Sequence, residues 1–116
     1  IAASYGAQVE MHHYEPLFKD MRQDKKLLDL FKDVMTEFGE APRILPDDEA
    51  DGSTDVGNVS YEVPTAQPTL QIGLGLEAHT PEFTCAAGSD YGLAQAIKGT
   101  KIMAVVALRY ALLRDA

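Results

Sequence analysis

The sequence is poor in the residues that build disulfide-stapled domains and membrane spans. It has no tryptophan and a single cysteine, Cys85, among its 116 residues. One cysteine excludes a disulfide framework within the chain and is typical of a reducing compartment, so we expect a cytoplasmic protein. No stretch approaches the roughly 20 apolar residues of a membrane span, because Arg109 interrupts the most apolar run, residues 102–113.

Basic residues are also scarce. Ten Lys and Arg stand against eighteen Asp and Glu, which gives a net charge of −8. Proteins that bind nucleic-acid backbones or anionic membranes need a basic face, so we expect neither as a partner. With 46% hydrophobic and 24% charged residues, the composition is that of one globular domain with a modest core. The chain does not begin with Met, and we expect a processed product or a part of something longer.

Two segments alternate with a period of two residues, which predicts two β-strands. Alternate residues of segment 7–13 share one face, and Pro16 ends the pattern. In segment 69–76, four aliphatic residues alternate with polar residues and with Gly73 and Gly75. Glycines in a strand let another backbone or a ligand come close.

Two other segments follow the helical period. Between Asp24 and Phe38 the apolar residues recur at i, i+3, i+4 and i+7, which predicts an amphipathic helix that stops at Gly39. Residues 89–114 predict a second, longer helix. One side of that helix carries Leu93, Ile97, Ala104, Ala107, Leu108, Ala111 and Leu112. Together the elements predict an α/β fold, whose sheet must be completed by other residues or another chain because two strands are not a stable sheet.

The acidic loop at residues 40–55 is a candidate calcium site. Asp47, Glu49, Asp51 and Gly52 match the first half of an EF-hand loop, in which oxygen ligands alternate and a glycine is sixth. The twelfth position is Asn58 where an EF-hand has a bidentate glutamate. The sequence therefore favours a solvated loop over calcium binding.

Segment 51–58 places a glycine beside hydroxyl residues and an acid. Such a turn can direct backbone N–H groups at an anion. Alternatively, Ser53 or Thr54 caps a short helical turn that has Asp55 in its first turn. The spacing favours capping.

His79 lies between the second predicted strand and the last helix. A neutral imidazole at that place can bind a metal ion or act as a base. The alternative is that His79 is an ordinary surface residue. His12 and His13 are adjacent, and neighbouring residues of a strand point to opposite faces. We therefore predict that this pair is structural. Cys85 has no C-x-x-C partner and is predicted to be a small buried hydrophobe.

The order of these motifs resembles the C-terminal part of the metal-dependent aminoacylase/carboxypeptidase family of amidohydrolases. The resemblance is carried by GSTDVGNVSYEVPT at residues 52–65, then by AHTPEF at residues 78–83 and an Ala-rich closing helix. The sequence at residues 52–65 resembles the branch of the family that contains aminobenzoyl-glutamate hydrolases and aminoacylase-like dipeptidases. The resemblance implies that residues 15–116 are part of a three-layer αβα zinc-peptidase-like catalytic domain. Residues 1–14 would then be the last strand of an inserted lid (dimerisation) domain.

The same resemblance implies residue roles. His79 matches a metal ligand, Gly75 corresponds to the close-packed approach to the site, and the turn that lines the substrate pocket is formed by Gly52, Ser53, Thr54 and Asp55. It also implies two divalent metal ions (Zn, Mn or Co), a small amide or peptide substrate, and a parent enzyme that is a homodimer through its lid. The family's general base and remaining metal ligands have no match in this sequence. We therefore expect the chain alone to be inactive, and the alternative is a small acidic α/β binding module without catalysis.

Overall fold

The computed structural model describes residues 1–46 and 52–114, and all the regular secondary structure in that part of the chain is helical. A 3₁₀ helix at Ala2–Tyr5 opens the chain. The α-helices that follow are α1 (Lys25–Glu37), α2 (Val56–Val59), α3 (Pro81–Ala87) and α4 (Asp90–Arg114).

Helix α1 confirms the amphipathic helix predicted from the sequence. Asp24 caps its N-terminus, because the carboxylate accepts the backbone N–H of Leu27 at 2.9 Å. Phe38 caps the C-terminus of α1, and Gly39 follows with φ 82°. That left-handed conformation favours glycine and turns the chain out of the helical path.

Helix α4 confirms the second helix predicted from the sequence. At its start, the Ser89 hydroxyl accepts the N–H of Gly92 at 3.1 Å.

The sequence analysis missed α3, which is only seven residues long. Its start signals are local: the Thr80 hydroxyl accepts the N–H of Phe83 at 3.2 Å, and Pro81 occupies the first turn. Cys85 lies on α3 and is exposed, so its predicted burial is wrong.

The core lies between α1 and α4. Its buried apolar residues are Val34 and Met35 from α1 and Ile102 and Val106 from α4, each at most 5% exposed. This contact uses the side of α4 opposite to the apolar side noted in the sequence. That other side remains in solvent, because its large members are 54–63% exposed, namely Leu93, Ile97, Leu108 and Leu112.

Polar side chains join the two helices at both ends of the core. Arg109 donates two parallel hydrogen bonds to the Glu37 carboxylate, at 2.7 and 2.8 Å. Just beyond α1, Glu40 accepts from the Lys98 ammonium at 2.6 Å and from the Gln95 amide at 3.3 Å. Gln95 is 2% exposed and satisfies its amide with two acceptors, which removes the cost of burying it.

The predicted α/β fold, and with it the three-layer αβα arrangement, is wrong for the described residues, which form no strand. Segment 7–13 has no regular structure, and Val9 and Met11 are 70% and 89% exposed. Segment 69–76 bends at residues 72–75, where Gly75 has φ 64°. A strand exists only when another strand satisfies its backbone groups. Neither segment finds such a partner in the described part of the chain.

The acidic run of the candidate calcium site falls mostly on residues 47–51, which lie outside the described residues. Among the described helices, none combines the length and the apolar character that crossing a membrane requires.

The chain is far from compact. Its radius of gyration is 19.3 Å, against about 13 Å for a folded domain of this length. It exposes 9534 Å² of surface, whereas a compact monomer of the same mass exposes about 6,200 Å². Much apolar surface therefore stays in solvent around a small core.

Replacing Ile102 by alanine should lower the free energy of unfolding by about 2–5 kcal/mol, because it opens a cavity in a core of few residues. Urea denaturation followed by circular dichroism at 222 nm measures this change. Met11→Ala is the matched control, because the Met11 side chain is 89% exposed and its loss should leave the midpoint unchanged. Equal midpoints for the two variants would contradict the α1–α4 core.

The charged contacts make stability depend on pH. Arg109 lowers the pKa of Glu37, and Lys98 lowers the pKa of Glu40, in each case mainly through a hydrogen bond to the carboxylate. A carboxyl with a lowered folded pKa contributes its full stabilisation above the unfolded pKa of about 4.3 and loses it as the pH falls through the folded pKa. The urea midpoint should therefore fall below about pH 4.3, and Glu40→Gln should make that fall shallower while lowering the midpoint at pH 7.

Candidate functional site

Asn58, in the motif at residues 52–65, binds the backbone of a segment about forty positions earlier in the chain. The Lys19 N–H donates to Asn58 Oδ1 at 2.7 Å, and Asn58 Nδ2 donates to the Leu17 carbonyl oxygen at 3.1 Å. One side-chain amide thus makes the donor and acceptor pair that a neighbouring strand would otherwise supply. Helix α2, which directly follows the Gly52–Asp55 turn, is thus fixed to residues 17–19 through this amide.

Further contacts extend the same attachment. The Arg22 N–H donates to Ser60 Oγ at 2.9 Å, and that hydroxyl donates to the Gly57 carbonyl at 2.6 Å. At the start of α1, the Asp24 N–H donates to the Thr65 carbonyl at 2.7 Å. The motif and segment 17–24 are therefore held together mainly by backbone-directed hydrogen bonds, with little apolar burial.

Gly57 is the point of closest approach between the two segments. It is buried, and a Cβ atom there would overlap the Lys19 carbonyl oxygen. Any larger residue would push residues 19 and 20 away from α2. The position therefore requires glycine for space, while its φ lies outside the left-handed region.

Charged side chains of segment 17–24 surround Tyr61 and add to the contact between that segment and the motif. The Lys19 ammonium and the Arg22 guanidinium lie 4.5 and 3.8 Å from the centre of the Tyr61 ring, which is within cation–π range. The Tyr61 hydroxyl donates to the Asp20 carboxylate. This hydrogen bond lowers the pKa of Asp20 and raises the pKa of Tyr61, so at neutral pH the acid is ionised and the phenol is neutral. A shallow open cleft runs beside it, lined by Arg22 and residues 60–64.

The residues expected to line a substrate pocket sit at the start of this turn. Gly52, Ser53 and Asp55 are exposed, and Thr54 is half-buried. The Thr54 hydroxyl accepts the N–H of Val56 at 3.2 Å, and the Thr54 carbonyl accepts the N–H of Gly57 at 3.4 Å. Both amides are thus satisfied within the turn, which agrees with the capping alternative. The N–H groups of Val56 and Gly57 could bind an anion only if their hydrogen bonds to Thr54 were broken.

His79 lies in a separate turn that leads into α3. It is exposed and has φ 65°, the one positive φ outside glycine among the described residues. Such a conformation is uncommon for a residue with a Cβ and often marks a functional position. The Thr80 hydroxyl donates to the Glu77 carbonyl at 2.8 Å across this turn. Gly75, nearby, has φ 64° and open space around it.

A metal centre needs several donors close together. In residues 1–46 and 52–114, no group of three or more His, Cys, Asp or Glu is placed to hold a metal ion. Those residues therefore do not form such a centre by themselves, and the ligand role of His79 stays a prediction. His12 and His13 are exposed, and His12 Nε2 lies 3.7 Å from a Glu10 carboxylate oxygen.

Sequence reasoning missed the residues that organise this site, namely Gly57, Asn58, Ser60 and Tyr61. Within the motif, it assigned site roles only to Gly52–Asp55. One signal was available: a glycine followed by side chains that bind backbone groups, within a motif of tight turns. The partner segment could not be identified, because residues 17–24 carry no matching pattern.

Comparison with known proteins shows a partial similarity to dipeptidases. A stretch of 57 residues, 49% of this chain, is 42% identical to Xaa-Arg dipeptidases from Mus musculus and from Homo sapiens. The chain spans only 13% of the length of either relative. No protein-family model matches the chain, and no solved structure matches it. At a coarse level the similarity is to a peptidase.

Replacing Gly57 by alanine should separate segment 17–24 from the motif, because the new Cβ would overlap the Lys19 carbonyl. Amide hydrogen exchange should then lose its protection at Lys19 and Arg22, whose N–H groups donate to Asn58 and Ser60. Gly88→Ala is the matched control, because a Cβ there meets its nearest neighbours at an ordinary 3.8–3.9 Å. Protection that survives in Gly57→Ala would contradict the close approach.

Proposed function

We propose that this chain is part of a metal-dependent amidohydrolase of the dipeptidase kind and contributes a substrate-contacting turn and one metal ligand. The observation that carries the proposal is the 42% identity over 57 residues to two Xaa-Arg dipeptidases. The motif order at residues 52–83 also supports it. The proposed reaction is hydrolysis of an amide bond in a dipeptide, an N-acyl amino acid or aminobenzoyl-glutamate.

The turn at Gly52–Asp55 is the proposed substrate contact. It is exposed, and the residues that follow it are fixed to residues 17–24 by Asn58 and Ser60. An exposed turn on a fixed base can hold a ligand without first having to be ordered, which reduces the entropic cost of binding. The hydroxyl and backbone groups of Ser53 and Thr54 suit a carboxylate or an amide carbonyl.

His79 is the proposed metal ligand. Its exposed imidazole sits on a turn with an unusual backbone conformation, just before α3. Two divalent ions would polarise the scissile carbonyl and lower the pKa of a bound water. Because no group of three or more His, Cys, Asp or Glu among the described residues is placed to hold a metal ion, the other ligands and the proton-transferring carboxylate are proposed to come from outside this chain.

The rival proposal, an acidic binding module without catalysis, needs a self-sufficient folded domain. The described residues include four buried apolar side chains, and the radius of gyration is 19.3 Å. That core is small for an independent module of this length. The peptidase proposal is therefore favoured.

The chain alone should show no amidase activity, because it lacks most of the metal ligands and the general base. The test is an assay of the 116-residue chain with added zinc, manganese or cobalt against N-acyl amino acids, aminobenzoyl-glutamate and dipeptides that end in arginine. Metal-dependent turnover well above a metal-only blank would contradict the proposal that the remaining catalytic groups lie elsewhere.

In a polypeptide that combines this chain with the remaining ligands, His79→Ala should weaken binding of one metal and lower kcat by about 10³-fold or more, since it removes a share of carbonyl polarisation. Folding should be unchanged, because His79 is exposed. His12→Ala and His13→Ala are the matched controls and should keep both metals and near-normal kcat. Metal stoichiometry and kcat for the three variants decide which histidine is the ligand.

A further inference from the structure

A buried amide on α4 holds the start of the segment that leads to His79. The Gln95 side chain is 2% exposed, and its Nε2 atom donates to the Gln71 carbonyl oxygen at 3.0 Å. The same atom donates to Glu40 Oε1 at 3.3 Å. Burying an amide is costly unless it is hydrogen-bonded, so the packing of α4 favours keeping both bonds. Residue 71 is thereby attached to α4.

Two neighbouring contacts reinforce this attachment. The Glu40 carboxylate also accepts from Lys98 Nζ at 2.6 Å, and a charge-assisted bond of this kind is stronger than a neutral one. It keeps Glu40 in reach of the Gln95 amide. Leu70 packs against the α1–α4 core, and its Cδ1 atom lies 3.0 Å from where a Cβ at Gly99 would be. Residues 70 and 71 are therefore fixed on α4 by one apolar and one polar contact.

The chain beyond His79 returns to the same helix. Gly92 is buried, and a Cβ atom there would overlap the carbonyl oxygen of Ala86 in α3. The Ser89 hydroxyl donates to that carbonyl oxygen at 2.6 Å. Helix α3 thus packs closely on the first turn of α4, and it begins at Pro81, two residues after His79.

Both attachments lie on one side of α4. Gly92 and Gln95 are three residues apart, which is about 4.5 Å along the helix axis, and residues at this spacing share a face. Residues 72–80, which we call the His79 loop, therefore depart from α4 and come back to it at nearly the same place. A loop whose ends are held close together has fewer conformations to lose when it binds a ligand.

We propose that Gln95 is a positioning residue for His79 and acts through its hydrogen bond to Gln71, which closes the His79 loop. The inference rests on the proposed role of His79 as a metal ligand. Gln95 itself touches neither metal nor substrate. Residues that orient a ligand change metal affinity by about 10–100-fold, and an effect passed through a loop belongs at the lower end of that range.

Backbone ¹⁵N relaxation of the 116-residue chain tests the positioning without metal. The order parameter at His79 should be about 0.85 in the wild-type chain and below about 0.6 in Gln95→Met, because methionine keeps the volume but cannot donate to Gln71. Gln67→Met is the matched control, since Gln67 is exposed, and it should leave His79 ordered. A wild-type His79 that is already mobile, or one that stays ordered in Gln95→Met, would overturn the proposal.

A second variant separates positioning from a general loss of stability. Gln95→Asn keeps an amide on a stem that is shorter by one methylene, so it cannot reach both acceptors and should also mobilise His79. In both variants Asn58 should keep its order parameter, because its contacts are with residues 17–19. Equal loss of order at His79 and Asn58 would show a purely structural role for Gln95 and overturn the proposal.

Metal affinity distinguishes failure of this inference from failure of the proposed function. In a polypeptide that supplies the remaining ligands, Gln95→Met should raise the Kd of one zinc ion about tenfold, and His79→Ala should raise it further. A raised Kd in His79→Ala with no change in Gln95→Met would overturn the inference and leave the proposed function standing. An unchanged Kd in His79→Ala would overturn the ligand role of His79 itself.

Discussion

The contact between α1 and α4 is the interaction on which the rest of the structure depends. Val34 and Ile102 exclude water from its centre, and the Glu37–Arg109 pair adds a two-point electrostatic contact at one end. Exposed ion pairs contribute little individually, so apolar burial supplies the stability and the charges supply the alignment. Because these helices are separated by about fifty residues, everything between them is held at both ends by this contact.

The attachment of residues 17–24 to the motif is built on a different principle. It buries little apolar surface and instead satisfies backbone groups with Asn58 and Ser60. Hydrogen bonds of this kind contribute modestly to stability but are directional. They fix where α2 lies, and with it the end of the Gly52–Asp55 turn, for which we propose a contact with substrate. Gly57 permits the arrangement because any side chain would occupy the space of the Lys19 carbonyl.

The apolar side of α4 that faces away from α1 and the proposed metal ligand both lack neighbours in the described part of the chain. Four large apolar side chains on that side of α4 remain 54–63% exposed, namely Leu93, Ile97, Leu108 and Leu112. His79 is exposed, and no group of three or more His, Cys, Asp or Glu in residues 1–46 and 52–114 is placed to hold a metal ion. The ligand role proposed for His79 therefore requires donors from a different polypeptide segment.

The sequence by itself determined α1 and α4. Their caps at Asp24 and Ser89 and their apolar periodicity are local signals, which act within a few residues along the chain. It also identified the 52–65 motif and the peptidase resemblance. Tertiary structure decided the rest. Segments 7–13 and 69–76 carry a strand pattern but form no strand, because pairing depends on a partner that alternation does not provide. Contacts between distant residues likewise decided which face of α4 is buried. They also decided that Asn58 binds the backbone of residues 17–19.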